Sequence, residues 1–295
     1  MKLLVAYIPT AGGADAVALG ACLARTLDAD LQICVVVPPE PSAVGDDGQR
    51  SEIEHLSGAL DTAARGWLAD ALTMVGDGVG AGTAIAVHPN PAEGIITHAR
   101  TIDADMIAMG GSGGGILGRH TLGTVVNDIL HSSPLPVALA PLGFAHVGAR
   151  EVRELTVTIG HRPGTELLFS TALRSGARAH RPIRLVSLVA LDEVQPWNPH
   201  PEDVALADAR NHAQATLDEA RQRLPPDFPI TSTVVEGHTI EAAVASLPWH
   251  DGDLIMVGSS RLAAPNTIFL GTTAAKILRT LAVPMVVVPR ADPAD

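Results

Sequence analysis

The chain of 295 residues is short of several features that would point directly to a function. It has two cysteines, Cys22 and Cys34, too few for a disulfide framework. Both lie in apolar surroundings, so reduced core thiols are expected. No stretch reaches about 18 continuous apolar residues, and the opening Met1-Lys2-Leu3-Leu4-Val5 is too short for a signal peptide. The expectation is a soluble, cytoplasmic protein with no membrane contact. Basic charge is also scarce: 20 Lys and Arg against 32 Asp and Glu give a net charge of −12, which disfavours nucleic acid and anionic lipid as partners. No Gly-Lys-Ser/Thr ending of a Walker A loop occurs, which argues against a rapid ATPase. The 12 histidines are scattered, with neither a His-Glu-x-x-His nor a His-x-x-Glu-His pattern, so no metal site is expected. No base or nucleophile accompanies a ligand-binding motif, and an enzyme is not expected.

What the chain does contain is a copy of itself. Gly110-Gly111-Ser112-Gly113, nine residues, then Gly123-Thr124 recurs as Gly258-Ser259-Ser260-Arg261, nine residues, then Gly271-Thr272. The match extends outward in register. Asp105-Met106-Ile107-Ala108-Met109-Gly110 corresponds to Asp253-Leu254-Ile255-Met256-Val257-Gly258, and Leu135-Pro136-Val137-Ala138-Leu139 to Val283-Pro284-Met285-Val286-Val287, at one constant spacing. Leu3-Leu4-Val5-Ala6-Tyr7 likewise matches Leu155-Thr156-Val157-Thr158-Ile159. The chain therefore reads as a duplicated domain, with copies at 1–145 and 151–291 and a junction near 144–151.

Each copy alternates short apolar runs with stretches of helical spacing. In the first copy the runs are 3–8, 33–37, 83–87, 106–109 and 137–140, and helices are predicted at 14–27, 52–75, 91–101 and 124–131. The second copy has strands at 155–159, 183–189, 232–235, 254–257 and 285–288. Continuous rather than alternating hydrophobicity indicates strands covered on both faces, hence a parallel sheet with right-handed crossovers. In such a doubly wound sheet ligands sit at the carboxyl ends of strands near the switch point, where Gly110 is placed. Asp15 is read as an acidic residue opening the first helix.

The order strand, Gly-x-x-Gly, nine residues, Gly-Ser/Thr, helix and a proline-flanked final strand resembles the universal stress protein family in its tandem two-domain form. The resemblance covers nearly the whole chain. It implies two flavodoxin-like or Rossmann-like α/β domains, each a five-stranded, mainly parallel sheet with helices on both faces. It also implies a stress-response regulatory role, with ATP, and magnesium with it, bound in some members and not in others. In the family the positions matching Gly110, Gly113, Gly123 and Thr124 hold ribose and phosphates. Family members commonly pair through the last strand, which implies an intramolecular pseudo-dimer here, with further homodimerisation open. ATP-binding members carry an acidic residue just after the first strand. Ile8 occupies that register here and Gly160 its counterpart, so phosphate binding is better supported than adenine selection.

The residues of the loop support the same site on their own chemistry. A Cβ at Gly110 or Gly113 would stand between backbone N–H groups and phosphate oxygens, whereas Gly123 and Thr124 begin a helix whose first N–H groups have no internal partner. Thr124 adds a hydroxyl, Val125 an N–H in the same turn, and Ser112 a further donor. The cofactor-binding set is thus Gly110, Ser112, Gly113, Gly123, Thr124 and Val125. Arg119 and His120 either contact a terminal phosphate or are solvated loop charges. In the second copy Arg261 replaces the second glycine, and the simplest reading is a degenerate loop kept for packing and pairing. The Pro-rich stretch around Trp197 either binds a protein partner or covers a core edge. Two functions follow: a nucleotide-responsive regulatory module, or a nucleotide-independent structural or interaction protein whose glycines serve the fold.

Overall fold

The computed structural model of the chain describes residues 1–40, 47–111, 123–159, 166–190, 201–260, 263 and 267–290. The first half runs β1 (Lys2–Ala6), α1 (Ala11–Leu27), β2 (Asp30–Val37), α2 (Asp47–Val75), β3 (Ala81–Val87), α3 (Pro91–Thr101), β4 (Met106–Gly110), α4 (Thr124–Ile129) and β5 (Val137–Ala140). A short junction helix α5 (Phe144–Val147) leads to β6 (Glu154–Ile159), α6 (Glu166–Ala179), β7 (Ile183–Ala190), α7 (Pro201–Arg223), β8 (Ile230–Gly237), α8 (Ile240–Ala245), β9 (Asp253–Gly258), α9 (Thr272–Thr280) and β10 (Met285–Val288). All ten strands fall where continuous apolar runs predicted them, with ends shifted by a few residues. The junction helix α5 was not expected.

Local chemistry explains the helix limits. Thr10 caps α1 by accepting the Gly13 N–H, and Asp28 ends the helix in a left-handed conformation at φ 48°. Asn90 caps α3, with Pro91 in its first turn and the amides of Ala92 and Glu93 on the Asn90 side chain. Beyond α4, Ser133 bonds both the N–H and the carbonyl of Leu135, closing the turn that contains Pro134.

The strands form a single ten-stranded sheet in the order β3-β2-β1-β4-β5-β10-β9-β6-β7-β8. Within each half every pairing is parallel, and the halves meet where β10 runs antiparallel to β5, with Val286 opposite Ala138. The order is therefore the same read inward from either edge. Two apolar cores cover the two faces, and both cross the central β5–β10 pair. One holds Leu3, Val5, Ile33 and Ala108 with α1 and α2, continuing to Leu155, Leu185 and α6. The other holds Leu4, Cys34, Ile107 and α3, continuing to Ile255, Val257 and α9. β5 and β10 are buried throughout, as the innermost strands of a two-sided sheet must be.

α1 ties the halves together on one face. Its many small residues let it sit close to the sheet: a Cβ on Gly20 would stand 2.5 Å from Val5. Near its end, Thr26 donates its hydroxyl to the Cys22 carbonyl and accepts the Val152 N–H, both at 2.8 Å. The Arg178 guanidinium of α6 then bonds the Leu27 and Asp28 carbonyls, satisfying acceptors that any helix end leaves open. Among the described residues no helix is long and apolar enough to cross a membrane.

Candidate functional site

Gly110 ends β4, whose neighbours are β1 and β5, and β1 in turn pairs with β2 on its other side. The chain thus changes direction across the sheet between β1 and β4, and Gly110 lies at the carboxyl end of that switch point. The absence of a side chain there has a different immediate cause from the one the sequence suggests. A Cβ on Gly110 would stand 1.7 Å from the Gly12 carbonyl oxygen, and one on Gly12 would stand 1.9 Å from the Gly111 oxygen. A Cβ on Gly13 would meet the Ile8 oxygen at 1.9 Å. The first turn of α1 lies directly on the ends of β1 and β4, and glycine is required by that backbone contact whatever the loop beyond it holds. Adjacent glycines at Gly12-Gly13, in the opening turn of a helix, are the sequence signal of that contact.

Gly123, Thr124 and Val125 open α4, the helix of the crossover that leaves the carboxyl end of β4 and runs back to the start of β5. Gly123 precedes α4 in extended conformation, φ −74° and ψ 168°, with no side-chain cap. Thr124 is exposed and Val125 half-buried at the start of the helix. The first N–H groups of a helix have no partner within it, and here no capping side chain takes them. Ser112 and Gly113 lie outside the described residues, as do Arg119, His120, Gly160, Arg261 and the stretch around Trp197. Of the candidate residues the structure thus describes Gly110 at the end of β4 and Gly123 to Val125 at the start of α4.

The exit of β1 supplies no carboxylate. The strand ends at Ala6, Ile8 is 59% exposed, and Thr10 is engaged as the cap of α1. Val87, at the end of β3, is 63% exposed, so the carboxyl rim presents apolar side chains at both places. Asp15 does not open the first helix. It lies one turn in, is 2% exposed, and accepts the Gly143 and Ala145 amides at 2.9 and 2.8 Å. Its carboxylate therefore caps the junction helix α5, not α1. Cys22 and Cys34 are unpaired and buried, and burial pushes their thiols up to about 12 and about 11. Such groups stay protonated and are poor nucleophiles.

The corresponding helix start in the second half likewise has no side-chain cap. Gly271 precedes α9 with φ −72° and ψ 168°, nearly the backbone of Gly123. A Cβ on it would meet the Ser260 Cβ at 3.0 Å and the Ser260 Oγ at 3.2 Å, so Ser260 stands close against the residue that opens the helix. The loop is also bonded to itself: the Phe269 N–H donates to Ser259 Oγ at 2.7 Å and the Ser260 N–H to the Phe269 carbonyl at 2.8 Å. The first copy has Thr121 where this loop has Phe269.

The sequence profile of the universal stress protein family matches the chain twice, over residues 1–141 and 151–289. The chain belongs to the universal stress protein family. A universal stress protein of Mycobacterium tuberculosis strain H37Rv is 25% identical over 302 aligned positions, covering 98% of this chain and all of that one. Among solved structures, a universal stress protein from Archaeoglobus fulgidus aligns with a TM-score of 0.66 at 16% identity over 98% of both chains. A protein of unknown function from Pseudomonas aeruginosa aligns at 0.60 and 15% identity, over 98% of this chain and 92% of that one. These structures share the fold, including the tandem extent of this universal stress protein.

Proposed function

We propose that this universal stress protein is a stress-response regulator that binds the phosphates of ATP or a related nucleotide in its first half, and is not an enzyme. The observation that carries this reading is the uncapped glycine start of α4 in the crossover that leaves the glycine-ended strand β4 at the switch point. At α4, Gly123 leaves the amides of Thr124 and Val125 without a capping side chain at the carboxyl side of the switch point. The second half has Arg261 in the sequence where the first has Gly113, and Ser260 lies close to Gly271. Gly110, Ser112, Gly113, Gly123, Thr124 and Val125 would hold the polyphosphate through N–H and hydroxyl donors, and a triphosphate would bring magnesium with it. With Ile8 at the β1 exit, adenine would be met by apolar contact rather than by a carboxylate. Binding would alter the charge and order of the carboxyl edge, the surface offered to a protein partner.

A second reading is favoured by the Gly12–Gly110 contact, which accounts for the strand-end glycine without any ligand. In that case the chain is a nucleotide-independent interaction protein of the same fold. One measurement separates the two. Protein purified without added nucleotide is denatured, and the supernatant is chromatographed for released nucleotide; thermal unfolding is then followed with ATP. The regulator reading expects bound nucleotide, and at a hundredfold excess over Kd a stabilisation of about 2.7 kcal/mol. No released nucleotide and no shift would leave the interaction reading.

A further inference from the structure

The segment that closes the second half's loop also grips the first half. The Ile268 N–H donates to the Ser133 carbonyl at 2.8 Å, and the Leu270 N–H to the Leu130 carbonyl at 3.2 Å. Between them the Phe269 ring meets the His131 ring edge-on, with centroids 4.8 Å apart and planes at 88°. Leu130 is the residue that ends α4, and the next residues form its terminal turn.

α4 needs this support more than a longer helix would. It has six residues, against nine in α9. Isolated helices shorter than about 12 residues are marginal even in favourable sequences, so its order must come from packing. Its terminal carbonyls are taken up locally: Val126 by the Leu130 N–H, Asn127 by the His131 ring at 2.6 Å, Asp128 by the His131 N–H and Ser132 Oγ, and Ile129 by the Ser132 and Ser133 amides. The Leu130 and Ser133 carbonyls go to the other half. Ile268 and Leu270 are buried in the same apolar cluster as Val126, Ile129 and Leu130. On its other side the gripping segment is held by Ser259 and Ser260 at the exit of β9, so it is a braced strip and not a free strand end.

We propose that residues 267–270 of the second half are a positioning element for the first half's site: by fixing the C-terminal end of α4 they set the placement of Gly123 and Thr124 at its other end. The degenerate loop thus acts as a clasp on the neighbouring loop's helix, and the site is composite, contacted by one half and held by the other. This role rests on the reading that nucleotide phosphates bind at the start of α4.

The test uses the full chain and the substitutions Phe269→Ala and Phe269→Leu, which leave the β5–β10 pairing in place. Amide hydrogen exchange without ligand is followed at residues 126–133 and at 137–140, and binding of ATP and of inorganic tripolyphosphate is measured by calorimetry. Phe269→Ala is expected to speed exchange across 126–133 while leaving 137–140 protected, and to weaken both ligands roughly five- to tenfold; Phe269→Leu should restore most of both. Unchanged exchange in α4, or faster exchange with unchanged affinity, overturns the positioning role alone. A wild-type chain that binds neither ligand overturns the functional reading and the positioning role with it.

Discussion

The Gly12 carbonyl oxygen lies 1.7 Å from the place where a Cβ would stand on Gly110. Two glycines nearly a hundred residues apart thus bring the first turn of α1 onto the end of β4. Because the neighbour is backbone, no rotamer change can relieve an added methyl. Gly110→Ala is expected to destabilise the chain by about 3 kcal/mol or more. Gly66→Ala, inside α2 with open space around its Cβ position, should stabilise by about 0.5–1 kcal/mol. Urea unfolding of both variants without nucleotide checks this, and equal effects would remove the backbone contact as the reason for Gly110.

Asp15 holds the junction. It is buried and its two carboxylate oxygens each accept one amide of α5. Asp15→Ala leaves the Gly143 and Ala145 N–H groups without that acceptor and should cost about 2–3 kcal/mol, since hydrogen bonds to charged groups contribute more than neutral ones. Limited proteolysis at 141–150 should accelerate together with the loss measured by unfolding. A stable variant with a protected junction would show that α5 holds itself.

Nucleotide stoichiometry distinguishes the halves. With Arg261 in place of the second glycine, and Ser259 bonded to Phe269, one nucleotide per chain is expected by calorimetry. Gly113→Arg should abolish that binding while the circular dichroism spectrum and unfolding midpoint stay unchanged. Two equivalents bound, or wild-type affinity in Gly113→Arg, would place the site elsewhere.

Acid should weaken the fold through His98 on α3. Its Nε2 is buried with no hydrogen-bond partner among the described residues, and burial holds its pKa below the ordinary 6.5. The unfolded chain therefore takes up the proton before the folded one does. The contribution of neutral His98 is complete above about pH 6.5 and is lost as pH falls through the folded value. His98→Leu should flatten the decline in unfolding free energy between pH 7 and 5. A variant that follows the wild-type profile would assign the acid sensitivity to other groups.

The two thiols should be silent in the native protein. With Cys22 raised to about 12 and Cys34 to about 11, both stay protonated at pH 8, and both are buried. A disulfide-exchange reagent should titrate no thiol in native protein and two after denaturation. Rapid native labelling would mean that one of these core positions opens readily.

The duplication, the ten strands and the class of fold were legible because buried parallel strands read as continuous apolar runs, and because both copies keep one register. The loop glycines were legible for a related reason: glycine at a strand end is rare enough to stand out. Their causes were not, since what crowds Gly110 comes from Gly12, and what Asp15 caps is the junction helix α5. Local pattern put Asp15 at a helix start because acidic residues often sit there; only the packed chain brings Gly143 within reach of its carboxylate. The sequence alone established two related halves and one intact glycine loop. The tertiary structure decided that the halves share one sheet, and that the altered loop is tied to α4 of the other half. Those relations depend on contacts between residues distant in the chain, which form only when β5 and β10 pair and bring the two surfaces together.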